Sequence, residues 1–409
     1  MISSGGSSGA EAARAGPPPP LSLPRMLALF LKVGAIGFGG GMAVIALMER
    51  EFVENRRLLP AAEFLHGVGL SQILGPFAVN TAFFVGHRRH GLLGGLAATV
   101  AFLLPSVALV ILLSFLYFRY HAIPALQGVL QGLGPVVIAL ILAAAWSMGR
   151  KALASVPAVL LALAGAAAGA LGWNAVWVLL AAGLLGVAAG RARLGDRRVR
   201  KDAVGAGKGS GEGAPSLARG FVPLAAPMSA VAGAGSVSLA GLGLAFLKVG
   251  LVFFGGGFVL VPILHQQLVE RLHWLGPQEF LDGVAISNLT PGPIAVLSTF
   301  AGYRLLGVPG ALVATVALFA PALALMAIIC LGYERLRDAE RAYDFLAGVA
   351  PAVVGLVASA ALVLWPSAIL SWRALLLAAV ALLLLVRFRW PPVLVLALGA
   401  GLAAVGLVP

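Results

Sequence analysis

The chain has 409 residues, of which 60% are hydrophobic and 11% charged, and its formal net charge is +13. A soluble domain is about half apolar and about a quarter charged, so this composition excludes an ordinary soluble protein and, because the apolar residues come in long blocks, predicts membrane helices. In a membrane protein a positive net charge mostly reflects topology, because Lys and Arg accumulate in the cytoplasmic loops. Nucleic acid is not an expected partner, since the sequence has no basic stripe with interleaved aromatic residues.

Two stretches without apolar segments divide the chain. Residues 1–24 are mostly Gly, Ser, Ala and Pro and lack the charged region that opens a signal peptide, so they predict a disordered tail. Residues 191–238 begin with a Gly-rich stretch that carries eight Lys and Arg, which indicates a cytoplasmic linker. The remaining chain forms two candidate transporter halves, residues 25–190 and 239–409.

The two halves are copies of one unit. Residues 30–41 read FLKVGAIGFGGG, and residues 246–257, 216 positions later, read FLKVGLVFFGGG, which matches at nine of twelve positions. Each copy places a lysine, Lys32 or Lys248, in an apolar segment. A lysine in hydrocarbon is costly and usually marks an ion or substrate path, whereas a lysine that merely reaches for the headgroups needs no further role. The duplication favours the first interpretation, in which the lysines attract an anion.

A run of glycines follows each lysine. Glycine permits both close helix approach and unwound backbone, so the run indicates either plain helix packing or a helix break with free N–H groups. Free N–H groups at the N-terminus of a half-helix bind anions. On this second interpretation the substrate-binding glycines are Gly39, Gly40, Gly41, Gly255, Gly256 and Gly257.

Each copy contains six apolar segments, and the second is interrupted. The segments lie near 27–48, 64–86, 92–118, 125–149, 152–170 and 173–190, and near 242–266, 280–302, 308–331, 345–365, 368–386 and 390–408. The interruptions read LGPF at Leu74–Phe77 and TPGP at Thr290–Pro293. Because Gly-Pro pairs break helices, each second segment is either a kinked span or a re-entrant pair of half-helices.

The interruptions also carry candidate ligands. Irregular backbone at membrane depth is tolerated only where it is buried in protein or lines a cavity, which favours a binding site over a mere proline kink. Uncharged donors near the breaks, which suit the oxygens of an oxyanion, are Asn80, Asn288 and Thr290.

The charges of the loops indicate how the halves are oriented. If every segment crosses the membrane, the halves are parallel, and eight Lys and Arg residues lie inside against ten outside, leaving out the linker and the two lysines within segments. If the second segment of each half is re-entrant, the halves are inverted, with twelve inside and six outside. The positive-inside rule favours the inverted arrangement.

Charged residues flank the interrupted segments at equivalent positions. Glu63 and Glu279 precede them, and Arg88 and Arg304 follow them. The acids could simply cap helices and the arginines could be loop charges. The alternative is that these four residues take part in proton coupling or gating, and they are our candidates for that role.

Taken together, these motifs resemble the chromate ion transporter (CHR) family in its long form with two homologous halves. The resemblance rests on FxKxGxxxFGGG at the start of each half, a Gly-Pro break about 35 residues later and Gly-Tyr-Arg or its like after it. It covers the chain from about Leu27 and implies a bacterial inner-membrane protein with oppositely oriented halves that exports chromate and confers chromate resistance, sulfate being the related oxyanion. The family motifs fall on Lys32, Gly39, Gly40, Gly41, Gly75 and Pro76, and on Lys248, Gly255, Gly256, Gly257, Pro291, Gly292 and Pro293.

We therefore predict an all-α polytopic membrane protein with inverted halves, each of about five spans plus one broken or re-entrant segment. Its function is secondary transport of chromate out of the cell, driven by the membrane potential or the proton motive force, with sulfate or another small oxyanion as the alternative. Its partners are the oxyanion and the lipid bilayer, and a homodimer is one arrangement that the sequence leaves open. An enzyme, a metal site or a cofactor is not expected, since His, Asp and Glu do not cluster within spans.

Overall fold

The computed structural model describes residues 21–38, 41–120, 123–202, 237–253, 257–331 and 340–407. The tail up to residue 20, Gly39, Gly40, Gly255, Gly256 and linker residues 203–236 lie outside the described residues. The first half contains α1 (Leu23–Ile36), α2 (Gly41–Glu49), a π turn (Arg50–Asn55), α3 (Ala61–Ile73), α4 (Phe77–Tyr120), α5 (Pro124–Ala152), α6 (Val156–Ala170) and α7 (Ala175–Asp202).

The second half repeats this order of elements. It contains α8 (Leu239–Leu251), a 3-10 turn (Gly257–Val259), α9 (Leu260–His265), a π turn (Gln266–Arg271), α10 (Pro277–Leu289), a 3-10 turn (Ile294–Val296), α11 (Leu297–Leu331), α12 (Glu340–Ala368), α13 (Trp372–Val386) and α14 (Pro392–Ala404). Even the helix caps repeat, because the Ser155 and Ser371 side chains accept the backbone N–H of Ala158 and Ala374 at the starts of α6 and α13.

Four described helical stretches are long and apolar enough to cross a membrane. They are residues 77–120, 128–152, 294–331 and 347–368, and five shorter apolar helices accompany them. Small residues let the shorter α6 pack closely against the long α12, where Gly165 lies against the Ala352 carbonyl and Gly355 against the Ala162 carbonyl. The predicted all-α membrane architecture is confirmed.

The interrupted second segment of the first half is a re-entrant hairpin. Its two arms are α3 and residues 77–90, which run antiparallel, since Glu63 pairs with Arg88 and Gly67 lies against the ring of Phe84. Each arm is about 20 Å long, less than the roughly 30 Å hydrocarbon core. The corresponding hairpin of the second half, residues 277–306, shows the same pairing of Glu279 with Arg304. We refer to residues 61–90 and 277–306 as the two Gly-Pro hairpins.

A sharp reversal follows each Gly-Pro hairpin. His90 and Gly91 have non-helical backbone angles inside α4, and Leu306 and Gly307 repeat them inside α11, with φ of 65° at Gly91 and 61° at Gly307. Only glycine adopts such positive φ values readily. The chain then continues as a long helix, residues 91–120 or 307–331, that we call the crossing helix.

The crossing helix of the first half establishes that the halves are inverted. It begins at the base of the first Gly-Pro hairpin and ends at the base of the second, where the Tyr117 hydroxyl donates a 2.7 Å hydrogen bond to Asp282 and the Phe118 ring lies 5.3 Å from that of Phe300. The 26 residues between Gly91 and Tyr117 span about 39 Å as a helix. The two Gly-Pro hairpins therefore enter from opposite ends of the bundle, as the charge count predicts.

The first apolar segment also folds back on itself. The Phe30 and Phe52 rings stack with 4.6 Å between centroids, and the Lys32 ammonium lies 3.2 Å from the Glu51 carboxylate. Residues 30 and 52 would lie about 33 Å apart if α1 and α2 formed one straight helix. This segment, expected as one continuous apolar segment, is thus a pair of half-helices, α1 and α2, and Gly37 at the end of α1 is buried.

Candidate functional site

The tips of the two Gly-Pro hairpins meet the opposite half of the molecule. The Gly292 N–H donates a 2.9 Å hydrogen bond to the Gly37 carbonyl at the end of α1. Reciprocally, Gly75 lies directly against the carbonyl of Phe253, which stands 216 positions after Gly37, at the end of α8. We call these two contacts the central junction. It is formed by backbone, at the interface between the inverted halves.

Glycine is required at both tips for two reasons. Gly75 and Gly292 have φ of 95° and 102°, a region that other residues rarely adopt. A Cβ at either position would also collide with the opposite half, at the Phe253 carbonyl or the Ser106 hydroxyl. Pro76, Pro291 and Pro293 flank these turns, so Gly75, Gly292 and these three prolines, all predicted as site residues, are brought together at the junction.

Helix N-termini also converge around the junction. In the first half α2 begins at Gly41, which lies against the ring of Phe77, where α4 begins. In the second half Gly257 lies against Ile294 in the same manner. The positive ends of helix dipoles favour anions. Of the two predicted glycines that the structure describes within the runs, Gly41 therefore lies at the positive end of a helix dipole, whereas Gly257 begins a three-residue 3-10 turn.

Most of the polar side chains near the breaks bind their own helices. Asn288 donates to the Val284 carbonyl at 2.8 Å, and Thr290 to the Ser287 carbonyl at 3.0 Å. Asn80 is fully buried and donates to the Leu74 carbonyl at 3.3 Å, while its own Oδ1 is buried without a hydrogen-bond partner in the described part of the chain. A bound anion would have to draw the donors of these side chains away from the backbone.

Sequence reasoning missed Ser106 at the second tip. This serine is fully buried on the crossing helix of the first half, and its hydroxyl donates to the Pro291 carbonyl. The equivalent position in the second half is Ala322, so the contact has no counterpart. The only signal in the sequence was a hydroxyl directly after Pro105, on a helix that also carries Thr99 and Ser114.

Lys32 is held in an ion pair. Its Nζ lies 3.2 Å from Glu51 Oε1, and Arg56 and Asn55 bind the same carboxylate, which is largely buried. Burial raises the pKa of Glu51, but the hydrogen bond and charge of Lys32, with smaller contributions from Arg56 and Asn55, outweigh it, so the net pKa lies below the ordinary value. Glu51 was not among the predicted site residues, because its contact with Lys32 follows only from the fold-back of the first apolar segment.

Lys248 has a different environment. It is half-buried, and no acidic side chain among the described residues pairs with it. Gln267 stands 216 positions after Glu51, so the second half has a neutral amide where the first has a carboxylate. Within the described chain, neither lysine hydrogen-bonds to a tip residue of the central junction. The charge of Lys248 is therefore uncompensated by a carboxylate.

The four charged residues that flank the Gly-Pro hairpins form two equivalent ion pairs. Arg88 binds Glu63, and Arg304 Nε lies 3.1 Å from Glu279 Oε1, with the Arg304 guanidinium 5.5 Å from the centre of the Phe118 ring. Glu279 also caps α10 by accepting the Gly276 N–H. Each pair joins the two arms at the hairpin base, about 18 Å from the tip. These pairs lie too far from the junction to contact a solute there.

Comparison with known proteins identifies the family. The family model described as "Chromate transporter" matches residues 24–187 and 240–405, one match to each half. A chromate transport protein of Cupriavidus metallidurans is 30% identical and covers 95% of this chain and 94% of its own length. A chromate transport protein of Pseudomonas aeruginosa is 34% identical, covering 83% of this chain and 80% of its own, and a probable one of Synechococcus elongatus is 30% identical with 85% of each covered.

No solved structure matches the chain. The relatives are transporters, and none of these matches points to a catalytic family. Two matches to one family model, in register with the repeat that the helices display, show that the chain belongs to the chromate transporter family.

Proposed function

We propose that this protein exports chromate across the bacterial inner membrane by alternating access and thereby confers chromate resistance. Three relatives that cover most of the chain are named as chromate transport proteins or probable ones. The observation that carries the proposal is the central junction, in which each Gly-Pro tip contacts the opposite inverted half at Gly37 or Phe253. Broken helices that meet at the interface of inverted repeats are the usual site of substrate in secondary transporters.

The junction supplies anion-binding groups without an excess of charge. The helix that begins at Gly41 directs the positive end of its dipole toward the junction, whereas the Phe77 N–H is already donated to the Gly75 carbonyl. Lys248 contributes a cation whose charge no described carboxylate neutralises. A dianion held by several arginines would leave slowly, whereas backbone dipoles and one lysine give moderate affinity. Moderate affinity suits a carrier, since the solute must be released on the far side.

The reciprocal contacts suggest how access alternates. The Gly292–Gly37 and Gly75–Phe253 contacts lie on opposite sides of the pseudo-two-fold axis, so loosening one while keeping the other opens the junction to one side of the membrane. The Glu63–Arg88 and Glu279–Arg304 pairs keep the arms of each hairpin together, so that a hairpin moves as a unit. We assign these pairs to gating rather than to substrate binding.

The membrane potential is sufficient to drive export. Moving one charge through 100 mV is worth about 2.3 kcal/mol, so a dianion that leaves a negative interior gains about 4.6 kcal/mol. This corresponds to an outward gradient of about three orders of magnitude. A proton gradient would add to this driving force.

Uptake of chromate into everted membrane vesicles tests the proposal. Vesicles that contain the protein should accumulate chromate in a saturable manner when the lumen is positive, and vesicles without the protein should not. Equal accumulation in both kinds of vesicle would contradict the proposal. Competition in the same vesicles distinguishes the rival substrate. If chromate is the substrate, sulfate should inhibit chromate uptake only weakly. If sulfate is the substrate, sulfate should inhibit chromate uptake more strongly than unlabelled chromate does.

A further inference from the structure

A buried carboxyl group joins the two halves away from the central junction. Asp282, in the second turn of α10, is 3% exposed. Its Oδ2 accepts a 2.7 Å hydrogen bond from the Tyr117 hydroxyl, which belongs to the crossing helix of the first half. Its Oδ1 accepts a 3.0 Å hydrogen bond from the Gln278 amide. Both donors are neutral, so the carboxylate charge is solvated by hydrogen bonds alone.

Charged groups surround Asp282 without pairing with it. Glu279, the nearest acid, is bound by Arg304, which also faces Tyr117 from α11. On the side of α9, His265 packs edge-on against Phe280 and pairs with Glu270 instead. In the described residues no Lys, Arg or His forms an ion pair with Asp282. A buried carboxylate without a cation takes up a proton far more readily than an exposed one.

The position of Asp282 links its protonation to movement of the halves. The Tyr117–Asp282 bond ties the end of one crossing helix to the base of the opposite Gly-Pro hairpin. A hydrogen bond to an ionised carboxylate is about twice as strong as one between neutral groups. Proton uptake therefore weakens this tie, and proton release restores it. The equivalent position in the first half is His66, so the arrangement is not duplicated.

We propose that Asp282 binds a proton that is exchanged for the outgoing oxyanion, and that its protonation loosens the Tyr117 tie so that the second Gly-Pro hairpin can move. The inference rests on the proposed transport function. The balance of the step is one proton: the carboxylate takes it from the solution on the side of the second hairpin base, becomes a neutral carboxyl and later releases it on the other side.

The test compares Asp282→Asn with the wild-type protein in everted vesicles, whose lumen corresponds to the outside of the cell. An acidic lumen should increase the initial rate of chromate uptake at least threefold for the wild-type protein at clamped membrane potential. Asp282→Asn should take up chromate under membrane potential but respond less than 1.5-fold to the pH gradient. Asp282→Glu, which keeps a titratable group, should regain part of the response.

Control variants keep the outcome interpretable. Glu54→Gln removes an exposed acid of the first half and should keep the full pH response. Tyr117→Phe removes the hydroxyl that binds Asp282 and should shift the pH at which the rate is half-maximal. The inference would be overturned if Asp282→Asn kept the wild-type pH response, or if the wild-type uptake rate did not change with the pH gradient. Either result would leave potential-driven transport intact. Absence of uptake in the wild-type protein would instead refute the proposed function.

Discussion

The two halves of the molecule share their backbone geometry but not their ionisable groups. Both have a tip glycine with positive φ, a Glu–Arg pair at the hairpin base and a reversal at a glycine. Yet Lys32 has a carboxylate partner in Glu51, whereas the position equivalent to Glu51 in the second half is Gln267. The buried Asp282 likewise corresponds to His66. The comparison teaches that the duplicated backbone forms equivalent tip contacts in both halves, whereas the ionisable side chains around them differ between the halves.

The symmetric part of this comparison is tested most strongly at the tips. Gly75→Ala and Gly292→Ala should each abolish chromate uptake and destabilise the protein by more than about 1 kcal/mol, because the backbone angle and the opposite half both exclude a Cβ. Gly69→Ala is the matched control, since nothing lies within 4 Å of a Cβ there. The measurements are uptake rate and melting temperature in detergent. Wild-type transport by both tip variants would show that the junction is not needed.

The asymmetric part is tested at the lysines. Lys248→Ala should reduce chromate uptake at least tenfold, mostly through a higher KM, because it removes an uncompensated cation near the junction. Lys32→Ala should reduce uptake only a few-fold, since its charge is already neutralised by Glu51. Matched expression of the two variants, measured by immunoblot, makes the rates comparable. Equal losses would mean that the halves contribute equally, and unchanged transport in both would remove the lysines from the site.

The hairpin bases should respond to charge reversal in pairs. Glu279→Arg and Arg304→Glu should each slow uptake about fivefold, and the double exchange should recover most of the rate because the ion pair is restored with opposite polarity. The same series at Glu63 and Arg88 should behave alike. If the double variant is no faster than the single variants, the ion pairs do not act by holding the two arms of each hairpin together. A direct role of one member in proton coupling then becomes the better explanation.

The smallest effect is expected at the partner of Lys32. Glu51→Gln gives the first half the amide of the second and should lower the stability by no more than about 1 kcal/mol, since Lys32 is more than half exposed. Because the pKa of Glu51 is depressed in the folded protein, its contribution is present at neutral pH and is lost as the pH falls through that lowered pKa. The melting temperatures of the variant and the wild-type protein should therefore converge in acid.

Much of the fold could be predicted because short sequence motifs and their repetition mark it. The 216-residue repeat, the Gly-Pro breaks and the loop charges together predicted re-entrant segments and inverted halves, and both are present. A helix break at the glycine run was one of two interpretations of the sequence, but the reversal of the first segment was not predicted, because hydropathy continues across residues 37–41 without a proline. Glycine alone permits a reversal but does not specify one.

The backbone geometry of the candidate site could be predicted from the sequence, whereas its side-chain contacts could not. Glycine and proline each favour particular backbone angles, so the turns at Gly75 and Gly292 can be recognised from the sequence. The partners Glu51, Ser106 and Tyr117 become visible only when distant segments are brought together, since each contact joins residues 19, 185 or 165 positions apart. For the same reason the charge of Lys32 could not be known to be neutralised.

The most direct test of the central claim is the sidedness of the two hairpin bases. Single cysteines at His90 and Val308, both exposed at the reversals, would be introduced after Cys330→Ser and labelled with a membrane-impermeant maleimide in intact cells and in everted vesicles. Inverted halves predict that Val308→Cys is labelled in intact cells and His90→Cys only in everted vesicles. Labelling of both cysteines from the same side would contradict the inverted junction.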